Sequence, residues 1–249
     1  MTDRMERMDW ICPDMLADKQ VLLISDHCTE VSDVAACFKA AGCRVAVSFF
    51  NDEGVAPRLL PEAVQVFPGS LTCEEDIVRL GDQVRVQFAE PDILLVFTRR
   101  YGTNALQRIN EKTWMHDVEL PLRMTYLCCR SFSEAMVKNG WGRIILISAV
   151  QAKTGGWNTG GDVGFGTFSA SLCGLARSMA VELASGGVTV NSILPMLDVE
   201  NTEHVMETIP LDLLPDGMDV GGAALFLASR QASFITGYGL DINCGLFMD

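Results

Sequence analysis

Short apolar runs of strand length alternate with longer helical patterns along almost the whole chain, and that alternation constrains the fold more than any other feature. Residues 21–24, 45–49, 63–67, 93–97, 143–147, 188–194 and 238–243 read as strands. Apolar residues recur at helical spacing over 30–41, 74–90, 112–138, 164–184 and 220–228. Gly42 stops the first helix, Pro91 follows the second, and Pro121 is expected to interrupt the third. Strands of this kind, separated by helices of this length, require right-handed βαβ crossovers and a parallel sheet buried on both faces. The fold class expected is α/β, a doubly wound, Rossmann-like parallel sheet with helices on both faces. No repeat, low-complexity tract or linker divides the chain. It reads as a single domain over 1–249, with a short N-terminal extension over about 1–17.

Of the 249 residues, 49% are apolar and 20% charged, a globular balance with length enough for a substantial core. The formal net charge of −13 argues against nucleic acid and anionic membrane surfaces as partners. No apolar run approaches the roughly 20 residues that span a bilayer. Residues 1–9 mix acids and bases without an apolar signal core, so a cytoplasmic location is expected. Cysteines number nine. Cys37, Cys128, Cys129 and Cys173 fall in apolar periodic segments and read as small buried hydrophobes of a reducing compartment. No zinc-type C-x₂-C pair occurs, Cys128 and Cys129 are expected on different helix faces, and no metal is expected.

Specific motifs lie in the second half: Gly142-Arg-Ile-Ile-Leu-Ile-Ser148, Gly174-Leu-Ala-Arg-Ser-Met-Ala-Val-Glu-Leu-Ala184 and Gly187-Val-Thr-Val-Asn-Ser-Ile-Leu-Pro195. Phe226-Leu-Ala-Ser229, Phe234-Ile-Thr-Gly237 and Asp241-Ile-Asn243 follow. These closely resemble the short-chain dehydrogenase/reductase family over roughly 18–248, in pattern more than in residues for the first half. The resemblance implies a nicotinamide cofactor on a Thr-Gly-x-x-x-Gly-x-Gly loop. It also implies hydride chemistry supported by a serine, a Tyr-x-x-x-Lys pair and a helix asparagine.

This chain departs at each of those positions. The loop becomes 25–32, with Asp26, Glu30 and Ser32 in place of the three glycines. Glycine lets the backbone approach a pyrophosphate at a helix N-terminus. One carboxylate at about 4 Å from a phosphate charge costs on the order of 4 kcal/mol at an effective dielectric near 20. The helix dipole offsets only about 0.3–1 kcal/mol, or about 2 when partly buried. The acids are better read as capping or charging the helix start, in the place of the phosphate. Asn-Asn-Ala-Gly becomes Val96-Phe97-Thr98-Arg99, and Arg99 and Arg100 read as a loop end or as ion-pair partners of Asp26 or Glu30. The helix asparagine is read as Glu119, the catalytic serine as Ala149, the tyrosine as Phe165 and the lysine as Ser169. Ser148 survives, but one step along a strand turns its side chain to the other face. The Pro-Gly-x-x-x-Thr segment becomes 195–200, without its glycine and threonine. His27, His116 and His204 read as surface or capping groups.

Residues 150–164 are about three longer than the family spacing and carry five glycines and Trp157. They read as a flexible loop with one apolar anchor. The departures remove acid, base, oxyanion donor and cofactor cradle together, whereas the helices and strand that pair across subunit interfaces in the family keep its character. The resemblance therefore implies a non-catalytic, degenerate member with no catalytic, cofactor-binding or metal-binding residues of its own. It would assemble with an active homologue as a heterotetramer, the partner holding NAD, as in two-subunit hydroxyacyl-CoA dehydrogenases of anaerobic aromatic degradation. Two alternatives stay open. One is a lyase or isomerase using Asp26, Glu30 and Glu119; the other is a small-molecule sensor with a lid over 197–219.

Overall fold

The computed structural model describes residues 11–12, 14–25, 29–50, 60–97, 106–156, 163–196, 206–207, 209–211 and 213–248. In chain order the elements are β1 (Gln20–Ser25), α1 (Thr29–Ala40), β2 (Arg44–Phe49), β3 (Gln65–Phe67), α2 (Glu74–Gln87) and β4 (Ile93–Phe97). A short α3 (Glu111–Trp114) runs through a π-helical turn, Met115–Glu119, into α4 (Leu120–Asn139). Then come β5 (Gly142–Ile147), α5 (Gln151–Thr154), α6 (Val163–Leu183), β6 (Val188–Pro195), α7 (Gly217–Ala228) and β7 (Gly239–Ile242). The strands form one sheet in the order β3-β2-β1-β4-β5-β6-β7, with every pair parallel. The order reverses between β1 and β4, the doubly wound topology that the alternating pattern implied.

The strand period of two sorts the core into two layers. Leu22, Ile24, Leu94, Val96, Ile144 and Leu146 turn to the layer packed by α2, α4 and α6. Val21, Leu23, Ile93, Leu95, Ile145 and Ile147 turn to the layer packed by α1 and α7. Phe38 and Phe132, both fully buried, anchor opposite layers. Complete burial of such a side chain contributes about 1.5–3 kcal/mol. Helices α1 and α7 lie close because α7 offers glycine at the crossing. A Cβ on Gly221 would sit 2.6 Å from the Cys37 sulfur, and one on Gly217 would sit 2.6 Å from an Asp33 carboxylate oxygen.

Helix boundaries mostly follow the expected ranges, and the departures have local causes. The interruption expected near Pro121 takes the form of the π-helical turn Met115–Glu119, and the helical path continues through it. In a regular helix the proline ring meets the carbonyl four residues earlier. Here the preceding turn is widened, with Leu120 N–H donating to the Met115 carbonyl. The expected strand over 63–67 shortens to Gln65–Phe67 because Ala63 takes a left-handed φ of 61°. Residues 151–154 are helical rather than loop, closed by Gly155 at φ 70°. Cys128 and Cys129 do not divide between environments; both are fully buried in the same layer. Burial pushes the Cys129 thiol up to about 12 and the Cys128 thiol well above its ordinary value.

Helix α2 shows how a local cap adds stability. The Asp76 carboxylate accepts from the Thr72 and Cys73 amides at 3.0 and 3.2 Å, and from the Thr72 hydroxyl at 3.1 Å. The Thr72 amide, first among these, holds the Asp76 carboxyl down at about 2. A depressed folded-state value stabilises above the unfolded pKa and is lost as pH falls through the folded one. Asp76→Ala is therefore expected to lose about 1 kcal/mol at pH 7. The gap between variant and parent in urea titrations should shrink as pH falls from 4 towards 2. A gap independent of pH would refute the assignment.

Candidate functional site

The carboxyl end of β5 and the first turns of α6 bring together three of the positions at which the chain departs from the family pattern. The Ser148 hydroxyl donates to the Ser169 backbone carbonyl at 2.8 Å. Ala149 and Phe165 lie in one apolar cluster with Val118, Phe168 and Leu172. Phe165 is 8% exposed and Ser169 is 0% exposed. The Ser169 hydroxyl has no hydrogen-bond partner among the described residues. Ser148 is thus occupied in tying β5 to α6. The Cys173 sulfur lies 4.0 Å from the Ser148 hydroxyl, and the Ser192 hydroxyl lies 3.7 Å from that sulfur. This small buried polar chain contains no carboxylate, imidazole or amine.

Glu119 lies at the end of the π-helical turn before α4. It is exposed, on the wall of a groove shared with Met115, Leu120, Tyr126 and Leu175. Val118 and Pro121 are the buried residues of that stretch. The π-helical turn carries an extra residue per turn and so changes which side chains face inward, a shift that motif spacing cannot show.

Glu30 lies in the first turn of α1, and Ser32 is 4% exposed. A carboxylate at this helix start complements the dipole, as the sequence suggested. Glu30 belongs to the α1–α7 side of the sheet, and Glu119 to the helix on the other side. The two acids do not converge, so the acid–base alternative has no assembled pair among the described residues. Asp26, His27, Arg99, Arg100, Trp157 and His204 lie outside the described residues, as does residue stretch 197–205 of the suggested lid. His116 is exposed, with its Nδ1 2.7 Å from Asp117 Oδ1. No cluster of three or more potential metal ligands occurs among the described residues. No described helix is long and apolar enough to cross a membrane.

Sequence reasoning missed two charged features. Lys153 on α5 pairs with Asp241 on β7 at 2.6 Å, with side chains 19% and 21% exposed. The other is Arg143 on β5, 3% exposed. The first joins positions 88 apart, and the second is a cation in an otherwise apolar strand. Only the charge at the start of an apolar run at Arg143 was visible in the sequence.

The strand order, parallel registers and crossover helices define a doubly wound α/β protein of the dinucleotide-binding architecture. The chain belongs to the short-chain dehydrogenase/reductase family. A family model described as Enoyl-(Acyl carrier protein) reductase matches residues 32–247. The 3-oxoacyl-[acyl-carrier-protein] reductase FabG of Escherichia coli K12 is 30% identical over 188 residues, which cover 72% of this chain and 76% of that protein. The protein of the same name from Staphylococcus epidermidis RP62A is 26% identical over 223 residues, covering 83% and 90%. A Burkholderia xenovorans crystal structure described as a short-chain dehydrogenase/reductase superimposes with a TM-score of 0.83 at 24% identity, covering 94% of this chain and 99% of that one.

Proposed function

We propose that this chain is a non-catalytic subunit that assembles with an active, NAD-dependent homologue, in a heterotetramer. The observation that carries this reading is the state of the family's hydride-transfer positions. Ala149, Phe165 and Ser169 are packed into an apolar interior. Ala149 and Phe165 have no exchangeable side-chain proton, and Ser169 has no positive charge. General acid–base help is worth factors of hundreds or more, and no imidazole, amine or carboxylate stands in that polar chain to replace it.

The residues present do not fit a nicotinamide dinucleotide. Ser169, short and fully buried, cannot reach a ribose as a lysine would. Glu30 adds negative charge at the helix start where a pyrophosphate would need donors. We therefore assign NAD to the partner subunit and no cofactor to this chain.

The outer faces support the assembly half of the proposal. Met115 and Tyr126, about half exposed, line an apolar groove of about 900 Å³ between α4 and α6. Phe226 on α7, Tyr238 before β7 and the fully exposed Phe234 are large apolar side chains left open to solvent. In the family these helices and the last strand pair between subunits, and buried obligate interfaces resemble a divided core. By size, family and lost motifs the chain is similar to the degenerate subunit of the two-subunit 2-(α-hydroxybenzyl)succinyl-CoA dehydrogenase of anaerobic toluene degradation. We place it in a hydroxyacyl-CoA dehydrogenase of that kind.

Two measurements test this. Calorimetry of the isolated chain with NAD, NADH, NADP and NADPH is expected to show no binding; micromolar affinity for any of them overturns the reading. Native mass spectrometry of the untagged chain purified from its source cells is expected to show two copies with two of a homologue that retains the Tyr-x-x-x-Lys pair. Tyr126→Asp and Phe234→Asp should each release the partner. A homomeric assembly with no homologue would reject the subunit role.

A further inference from the structure

A cavity of about 670 Å³ opens at the amino-terminal ends of β1, β5 and β6, on the opposite edge of the sheet from the positions discussed above. Its wall carries three cations: Lys19, Arg143 and Arg230. Arg143 is 3% exposed. Its Nη1 donates to the Gly142 carbonyl at 2.8 Å and its Nη2 to the Ser233 hydroxyl at 3.3 Å. Its Nε is buried with no hydrogen-bond partner among the described residues, and so is the Thr189 hydroxyl of the same wall. Neither Arg143 nor Arg230 makes an ion pair among the described residues. Among the described residues Asp14 is the only carboxylate on the wall. Lys19 is paired with Asp92 at 3.3 Å. Trp141 lies under both the Lys19 ammonium, 3.9 Å from the ring centre, and the Arg143 guanidinium, at 4.5 Å.

A guanidinium this deep is expensive without a counter-charge. Its five donors form a fork suited to planar or tetrahedral oxyanions, and only two of them are used. Burial lowers the Arg143 pKa from its ordinary value, but a guanidinium stays charged at neutral pH. The chain as a whole carries −13, so a wall of three cations with one carboxylate runs against its overall charge.

We propose that this cavity binds a phosphate-bearing small molecule. Arg230, exposed on the rim, meets the outer phosphate oxygens. The Arg143 Nε and the Thr189 hydroxyl, both closed to solvent in the free chain, donate to the inner oxygens after their side chains turn towards the cavity, and the Trp141 edge of the cavity receives the organic part. The site is separate from the hydride-transfer positions and does not depend on the subunit role.

The test is calorimetry and thermal melting of the whole chain with inorganic phosphate and with phenyl phosphate, at constant ionic strength against sodium chloride. Inorganic phosphate at about a hundred times its dissociation constant should raise the melting midpoint by roughly 5–10 °C over the chloride control. Phenyl phosphate should bind more tightly than inorganic phosphate if an organic group is accommodated; equal affinity would restrict the ligand to the free anion and overturn the small-molecule assignment. Arg230→Ala, on an exposed residue, and Thr189→Val should each weaken phosphate binding at least about tenfold, the scale of a lost charge-assisted hydrogen bond. Arg143→Met should abolish it, and the other two variants keep the test decisive if that one fails to fold. Absence of any phosphate-specific shift, or unchanged affinity in both Arg230→Ala and Thr189→Val, overturns the proposal.

Discussion

Ser169→Lys, which puts the family's lysine back, is expected to lower the melting midpoint by about 8–16 °C. The position is fully buried, and its present hydroxyl already lacks a partner among the described residues. Adding a four-carbon stem to a packed layer costs about 1–3 kcal/mol. The ammonium must then be buried beside Phe168 and Leu172, or lose its proton, at a further cost of a few kcal/mol. A total near 4 kcal/mol corresponds to the stated shift at about 2–4 °C per kcal/mol for a chain of this size. Ser169→Ala is the control. It removes an unsatisfied polar atom and should be neutral or slightly stabilising. The triple variant Ala149→Ser, Phe165→Tyr, Ser169→Lys should show no NADH-dependent ketone reduction, because Glu30 still opens α1. An unchanged midpoint for Ser169→Lys, or hydride transfer by the triple variant, would show that the position opens onto a working cleft.

The second large effect belongs to the turn into β6. Gly187 has a φ of 74°, and a Cβ there would lie 2.1 Å from the Gly140 carbonyl oxygen and 2.8 Å from its carbon. A left-handed conformation costs an alanine roughly 1–2 kcal/mol. The clash is with backbone, so relief requires separating the α4 end from the β6 start. Gly187→Ala should therefore lose about 3 kcal/mol or more, a fall of about 6–12 °C in the melting midpoint. Gly140 supplies the comparison. Its φ is 69°, yet a Cβ there meets nothing within 4 Å. Gly140→Ala should cost only the conformational share, about 1–2 kcal/mol. Equal losses for the two variants would rule out the backbone clash as the cause.

The alternation of apolar runs was enough to locate every strand of the sheet and both helical layers. Strand identity is local: short, unbroken apolar runs rich in branched residues, such as 93–97 and 144–147, are the mark of strands buried on both faces of a parallel sheet. Boundaries moved where a local conformation intervened, as at Ala63 and at Gly155. At the site, the substitutions Phe165, Ser169 and Ala149 were legible as residue types, and their common burial followed from their place on β5 and α6. The outward position of Glu119 was not legible, because motif spacing assumes a regular helix and the turn before Pro121 is not one. Cys128 and Cys129 were separated on helical-wheel grounds. Both are buried because α4 packs over a wide arc, with Thr125, Leu127, Cys128, Cys129 and Phe132 all inside.

The sequence by itself determined which side-chain chemistry stands at 165 and 169. A phenylalanine has no phenolic proton and a serine no ammonium, whatever surrounds them. The tertiary structure alone decided which groups face one another across the chain. Lys153 meets Asp241, Ser148 bonds to the Ser169 carbonyl, and Arg143 lies deep between Trp141 and Ser233 with donors to spare. Those meetings depend on sheet register and helix rotation, which emerge from packing both faces of the sheet at once and are written in no single stretch of the chain.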